Sequence, residues 1–236
     1  MDLSKIYDGK RVIITGDTGF KGSWLALWLH NLGATVTGIG LAPKTPRDNY
    51  VICELDSTIT HHSCDIRQYD KILEIFSAAE PDMVFHLAAQ PLVPESYASP
   101  RGTFEINTQG TANILEAVRQ TPSVQVGVMV TSDKCYENRE WVHGYRETDP
   151  VGGHDPYSAS KGAAEIIISS YIRSFFSGDG APVVSSVRAG NVMGGGDWSE
   201  NRIIPDFMRS LEDKKPITLR NPGAVRPWQH VLEPLY

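Results

Sequence analysis

Apolar and polar positions along this chain alternate between two rhythms. Short apolar or β-branched runs at Arg11–Thr15, Thr35–Leu41, Asp82–Leu87, Val124–Thr131 and Pro182–Ala189, with a shorter one before Asp65, read as strands. Helix-length segments lie between them. In Phe20–Leu32 the residues Trp24, Leu25, Trp28, Leu29 and Leu32 recur on one helical face, and Gln68–Ala79, Ser96–Arg119 and Pro156–Phe176 read as further helices. Strand and helix in this order repeat the βαβ unit, whose long crossovers impose parallel pairing. Met83–Val84–Phe85 and Val126–Val130 are apolar without alternation, as strands are when helices cover both faces. The expected fold class is therefore α/β, a doubly wound parallel sheet over residues 1–190.

After about residue 190 the chain turns to Gly194-Gly195-Gly196-Asp197-Trp198 and several prolines, with only short elements expected. Residues 191–236 are read as the start of a smaller second lobe, too short to close on itself. Hydrophobic residues make 41% and charged ones 21% of 236 positions, enough to bury a core. The 22 basic and 28 acidic residues leave a net charge of −6, which excludes the dense basic face of a nucleic-acid or acidic-membrane binder. Met-Asp-Leu-Ser-Lys has no signal-peptide character, and no apolar stretch nears the roughly eighteen residues of a membrane span, so a cytoplasmic protein is expected. Cys53, Cys64 and Cys135 are widely spaced and form neither a disulfide framework nor a zinc set. His143 and His154 have no partner at metal-ligand spacing, so no metal is expected.

The first strand runs straight into Gly16-Asp17-Thr18-Gly19-Phe20-Lys21-Gly22 and then into a helix. That is the context of a dinucleotide fingerprint: glycines let backbone approach a pyrophosphate, and the helix offers unpaired N–H groups and the positive end of its dipole. The G-x-x-G-x-x-G spacing resembles that of the extended short-chain dehydrogenase/reductase family, which has a Rossmann sheet. The resemblance implies cofactor contacts at Gly16, Thr18, Gly19, Phe20, Lys21 and Gly22, at the acidic pair position Asp65-Ile66, and at Leu87-Ala88-Ala89 after the fourth strand. Tight helix–sheet packing explains those alanines equally well. The second strand ends Gly38-Ile39-Gly40-Leu41, without the acid that usually holds the ribose of NAD, while Lys44 and Arg47 could meet a 2′-phosphate or simply be solvated. The residues leave NAD and NADP open.

Tyr157 and Lys161 stand four apart on a helix that begins after Pro156, so phenol and ammonium share a face. A neighbouring positive charge is expected to lower the phenol's pKa and let Tyr157 take a proton from a carbinol. The fifth strand runs out through Ser132-Asp133-Lys134-Cys135-Tyr136, and parallel α/β sheets bind ligands at the carboxyl ends of strands. Together with Tyr136-Glu137-Asn138, Gly144-Tyr145-Arg146, Gly194-Gly195-Gly196-Asp197-Trp198 and Arg226-Pro227-Trp228-Gln229-His230, this Ser-Asp-Lys run resembles the CDP-glucose 4,6-dehydratases, a branch of that family, over essentially the whole chain.

The resemblance implies a hydro-lyase of the lipopolysaccharide-precursor type, acting on CDP-glucose with recycled NAD. It implies Ser132, Asp133, Lys134, Tyr157 and Lys161 as catalytic residues, Tyr157 and Lys161 also touching cofactor. Asp133 is the expected acid for water loss; Lys134 is either the base for the C5 proton or an electrostatic group. Arg188, Asn191, Arg202 and Arg226 are candidates for the substrate pyrophosphate and sugar, since a guanidinium holds phosphate oxygens in pairs. Two other readings stay in view: a sugar-nucleotide 4-epimerase, which needs no acid at Asp133, and a dinucleotide-binding regulatory or scaffold protein without turnover. The family pairs the helices Ser96–Arg119 and Pro156–Phe176 between subunits, which implies a homodimer or homotetramer.

Overall fold

The computed structural model describes residues 2–236. Eight strands are present: β1 Arg11–Thr15, β2 Thr35–Gly40, β3 Thr60–Ser63, β4 Met83–His86, β5 Val126–Val130, β6 Val183–Val187, β7 Asn191–Met193 and β8 Trp228–His230. The first six form one wholly parallel sheet in the order β3-β2-β1-β4-β5-β6. The order reverses between β1 and β4, so their carboxyl ends flank the crevice where such sheets bind ligands.

β1 shows why the sheet is doubly covered. Successive side chains point to opposite faces, and Val12 and Ile14 join one core cluster with Leu25 and Leu29, while Ile13 joins the other with Phe76 and Ile114. All three are essentially inaccessible. Helices Phe20–Asn31, Tyr69–Ala79, Gly110–Gln120 and Pro156–Phe175 supply the outer layers.

The continuous helix expected over Ser96–Arg119 is broken. Val93–Ala98 stops at Ser99, whose φ of −136° and ψ of 71° lie outside the helical region, and Pro100–Phe104 restarts the chain. Pro100 is the cause, because its ring disfavours helical backbone at the preceding residue. A π-helical turn follows at Glu105–Gln109, before Gly110–Gln120 resumes the α form.

The short second sheet pairs β7 with β8, both parallel, and so folds the Arg226–His230 segment back onto the chain leaving β6. Trp24 anchors it: its indole N–H donates to the Gly195 carbonyl at 2.9 Å, and its ring meets His230 edge-on at 6.0 Å. The second lobe also carries a longer element than expected, the helix Ile203–Glu212. Among the described residues, no helix is long and apolar enough to cross a membrane.

Candidate active site

The glycine turn is built by contact with the loop after β4. Gly16 has φ +77°, and a Cβ there would come within 2.8 Å of the Ala88 nitrogen; one on Gly22 would overlap the Gly16 carbonyl. Ala88 thus lies against the glycine turn, and its N–H donates to Thr15 Oγ1 at 3.2 Å. Gly19 caps the helix Phe20–Asn31 with no side-chain hydrogen bond to the first turn. Its leading N–H groups are left for an external acceptor, in a cradle that any larger residue at Gly16 or Gly22 would fill, which fits a pyrophosphate.

Around that turn, Thr18 Oγ1 donates to the Leu41 carbonyl at 2.8 Å. Ile66 is buried against Gly110, while the Arg67 guanidinium holds the Asp65 carboxyl below the usual range with a hydrogen bond of 2.7 Å. Arg47 is not available for a 2′-phosphate. It forks onto Glu212 at 2.8 and 2.6 Å and stacks over Trp198, its guanidinium carbon 3.3 Å from the ring centroid.

On the other wall, Asp155 caps the helix Pro156–Phe175 by accepting from the Ser158 N–H at 3.0 Å, and Pro156 takes its first turn. Tyr157 and Lys161 are both buried. Ser132 begins a one-turn 3-10 helix, accepting from the Lys134 N–H at 3.2 Å and donating to Asp133 Oδ1 at 3.1 Å, and its hydroxyl lies beside that of Tyr157. Burial and the nearby charge of Lys21 bring the Lys161 ammonium down to about 8. Lys21, from the glycine turn, is itself held below its ordinary value by burial and Arg202, against the pull of Asp133 and Asp197. Glycine turn and Tyr–Lys helix thus stand within electrostatic reach of each other.

One expectation is corrected. The Tyr157 phenol is not acidified: burial pushes it above the usual range, and the neighbouring Ser132 hydroxyl and the charge of Arg202 offset this only in part. Desolvation outweighs charge because the ring sits inside the packed wall, where the phenolate is poorly solvated.

The substrate arginines divide. Arg188 is corrected from a ligand group to a structural one: Glu165 takes its Nε and Nη2 at 2.9 and 2.7 Å, and Nη1 donates to the Tyr136 hydroxyl at 2.9 Å and the Glu147 carbonyl at 3.2 Å. Arg202 pairs with Asp197 at 3.1 Å and stays beside Lys21 and Tyr157. Asn191 opens β7, its N–H donating to the Pro227 carbonyl at 3.2 Å. A Cβ at the preceding Gly190 would touch Pro227 Cγ at 2.8 Å and Asp133 Oδ2 at 3.5 Å, so the Arg-Pro-Trp segment closes over Asp133. The exposed Arg226 side chain donates to the Val225 carbonyl at 2.8 Å.

Sequence reasoning missed two polar groups behind the site. Asn107, in the π turn, accepts from the Gln90 N–H at 2.8 Å and donates to the Gln90 carbonyl at 3.1 Å and Ser160 Oγ at 2.9 Å, clamping the loop after β4 to the Tyr–Lys helix. His86, fully buried at the end of β4, sits between Thr15 Oγ1 at 2.7 Å and Thr111 Oγ1 at 3.1 Å and is driven down to about 3 by burial and the Lys161 charge. A histidine closing an apolar strand was the available signal.

Comparison with known proteins matches this geometry to relatives. A CDP-glucose 4,6-dehydratase of Salmonella typhimurium is 50% identical over 97% of this chain, which spans 65% of that protein's length. Among solved structures, a dTDP-glucose 4,6-dehydratase of Streptomyces venezuelae with NAD bound superposes with a TM-score of 0.83 at 25% identity, over 95% of this chain and 69% of that one. An epimerase of Methanothermobacter thermautotrophicus superposes with a TM-score of 0.86 at 25% identity, over 100% of this chain and 68% of its own. With the sheet order, glycine turn and Tyr–Lys helix in place, and residues 13–234 matching the family model described as GDP-mannose 4,6 dehydratase, the chain belongs to that family.

Proposed function

We propose that this chain carries the cofactor domain and reaction centre of a CDP-glucose 4,6-dehydratase, turning CDP-glucose into its 4-keto-6-deoxy product. What supports the reading is one convergence: Lys21 from the glycine turn feels the charge of Asp133 from the end of β5 and in turn acts on Lys161, while Tyr157, on the same helix as Lys161, lies within reach of Ser132 and Asp133. The 50% identity to a protein of that name supports the choice of substrate.

Gly16, Gly19 and Gly22 would hold the pyrophosphate of NAD, with Thr18, Phe20, Lys21, Asp65, Ile66, Leu87, Ala88 and Ala89 around it. NAD held there would supply the hydride acceptor for oxidation at C4 and, once reduced, the hydride donor for C6. Tyr157 accepts the C4 hydroxyl proton, and Ser132 hydrogen-bonds the same oxygen. Burial holds the Tyr157 phenol above its usual range in the structure, so the Lys161 charge, one helical turn away, would have to offset that burial in this step. Once C4 is a ketone the C5 proton is acidic, and Lys134 meets that proton or the enolate left behind. Asp133 protonates the C6 hydroxyl so that water leaves. Asn191, Arg202 and Arg226, from the segment that begins the second lobe, would meet the sugar diphosphate. A homodimer or homotetramer is supported by the apolar Tyr97, Phe104 and Ile166, exposed on neighbouring helices. Free Cys53, Cys64 and Cys135 suit a reducing cytoplasmic setting.

Incubation of the full-length protein with CDP-glucose and NAD tests the reading. A CDP-4-keto-6-deoxyglucose product is expected. CDP-galactose would make it an epimerase instead, and no turnover with retained dinucleotide binding would leave a binding protein.

A further inference from the structure

The loop that leaves β2, residues 41–48, is tied at both ends to the glycine turn and the helix behind it. Thr18 Oγ1 donates to the Leu41 carbonyl at 2.8 Å, and just past the loop Asn49 Nδ2 donates to Ser23 Oγ, in the first turn of the helix Phe20–Asn31, at 3.1 Å. Between these ties Asp48 draws the loop tight. Its carboxylate accepts from the Lys44 and Thr45 N–H groups at 2.8 and 3.0 Å and from the Thr45 hydroxyl at 2.8 Å. Arg47 is therefore carried on a braced turn.

The second lobe meets this loop at two places. The Asn49 N–H donates to the Gly196 carbonyl at 3.3 Å, and Gly196, with φ +76°, lies so close that a Cβ there would collide with Asn49. Farther along, Arg47 forks onto Glu212 at 2.8 and 2.6 Å and stacks over the Trp198 ring. Glu212 is the last residue of the helix Ile203–Glu212, where the negative end of the dipole disfavours a carboxylate, so the guanidinium steadies both. An exposed ion pair is ordinarily weak, but a forked guanidinium that also lies flat on an aromatic ring is held by both contacts in one geometry. In a doubly wound sheet the pyrophosphate sits at the glycine turn and the adenosine half beside the end of the second strand. Loop and lobe thus close on each other along the adenosine side.

A hydride that leaves C4 and is delivered to C6 completes the proposed reaction only if the reduced cofactor stays in place between the two transfers. We propose that Arg47 is a latch: gripping Glu212 and Trp198, it holds the loop after β2 against the second lobe and slows the escape of the dinucleotide. The inference rests on the dinucleotide reading of the site. A latch that touches no part of the ligand forms alike before and after binding, so it slows entry and escape equally and leaves affinity unchanged.

Stopped-flow fluorescence of NADH with this chain reads both rates, by mixing for entry and by displacement with excess NAD for release. Arg47→Ala should speed both about tenfold, the combined effect of the forked pair and the cation–π stack, and keep Kd within about twofold. Trp198→Ala should speed both by a smaller factor, whereas Trp198→Phe, which keeps a ring beneath the guanidinium, should stay within about twofold of the unaltered chain. Unchanged rates in Arg47→Ala would overturn the proposal. So would faster release with unaltered entry, since the matching rise in Kd marks support of the binding site rather than a latch. A chain that binds neither NAD nor NADH would instead remove the dinucleotide reading itself, and this inference with it.

Discussion

Glu165 holds Arg188 by two nitrogens, at 2.9 and 2.7 Å, and the same carboxylate also accepts from Ser186 at 2.9 Å and from the Thr131 hydroxyl. Burial alone would raise this carboxyl, but the hydrogen bonds from Arg188, Thr131 and Ser186 outweigh it and hold it below the usual range. The pair pins the helix Pro156–Phe175 to the outer strands β5 and β6. Removing one partner leaves the other charge buried, so Arg188→Ala should destabilise the protein by about 3 kcal/mol or more. Urea unfolding checks this. CDP affinity should be unchanged in the folded fraction; a selective loss of CDP binding without loss of stability would return Arg188 to the substrate.

His86 sets an acid limit. Its folded pKa of about 3 lies below the ordinary 6.5. Between these values the unfolded chain binds a proton that the folded chain refuses, so stability is full above about pH 6.5 and falls as pH drops towards 3. The total is worth about 5 kcal/mol. His86→Asn should flatten this part of the pH–stability curve, measured by urea unfolding at stepped pH. An unchanged slope would assign the acid loss to other groups.

Lys161 works in the opposite direction from most stabilising charges. Its folded pKa of about 8 lies below the ordinary 10.5, so the folded state carries the full penalty of the buried ammonium below pH 8. Stability should rise between pH 8 and 10.5, where the unfolded chain keeps the proton and the folded chain does not. Lys161→Met should therefore unfold about 3 kcal/mol later at pH 7, with the gain vanishing near pH 10.5. In the full-length enzyme the same change should slow C4 oxidation roughly a hundredfold or more. Gained stability with retained oxidation would separate Lys161 from the chemistry.

Strands were readable from residue order where their burial is simplest. Val12, Ile13 and Ile14 are apolar on both faces, and β1 has that form because helices cover both sides. The glycine turn and the Tyr157–Lys161 spacing were readable for a similar reason, since each is local. What residue order hid is set by partners distant along the chain. Arg188 looks like any phosphate-binding arginine until Glu165 is found beside it, and Asp17 looks like a turn residue until folding brings Gly40 against it. The break at Ser99 was carried by Pro100 all along, but the apolar rhythm on either side ran through it.

Ser132 links the two residues to which the proposed elimination is assigned, donating to Asp133 Oδ1 and accepting from the Lys134 backbone N–H, and the second bond survives replacement of either side chain. In the proposed sequence Asp133 acts on the leaving hydroxyl and Lys134 on the C5 proton. Asp133→Asn in the full-length enzyme should therefore still oxidise C4 and exchange the C5 hydrogen with deuterated solvent, while water loss falls about a hundredfold or more. Lys134→Met should oxidise C4 normally but lose C5 exchange by a similar factor if its amine is the base. Undiminished exchange with slower elimination would leave Lys134 as the charge that steadies the enolate. The two variants read by mass spectrometry of recovered sugar separate acid from base, because exchange needs only the base and elimination needs both.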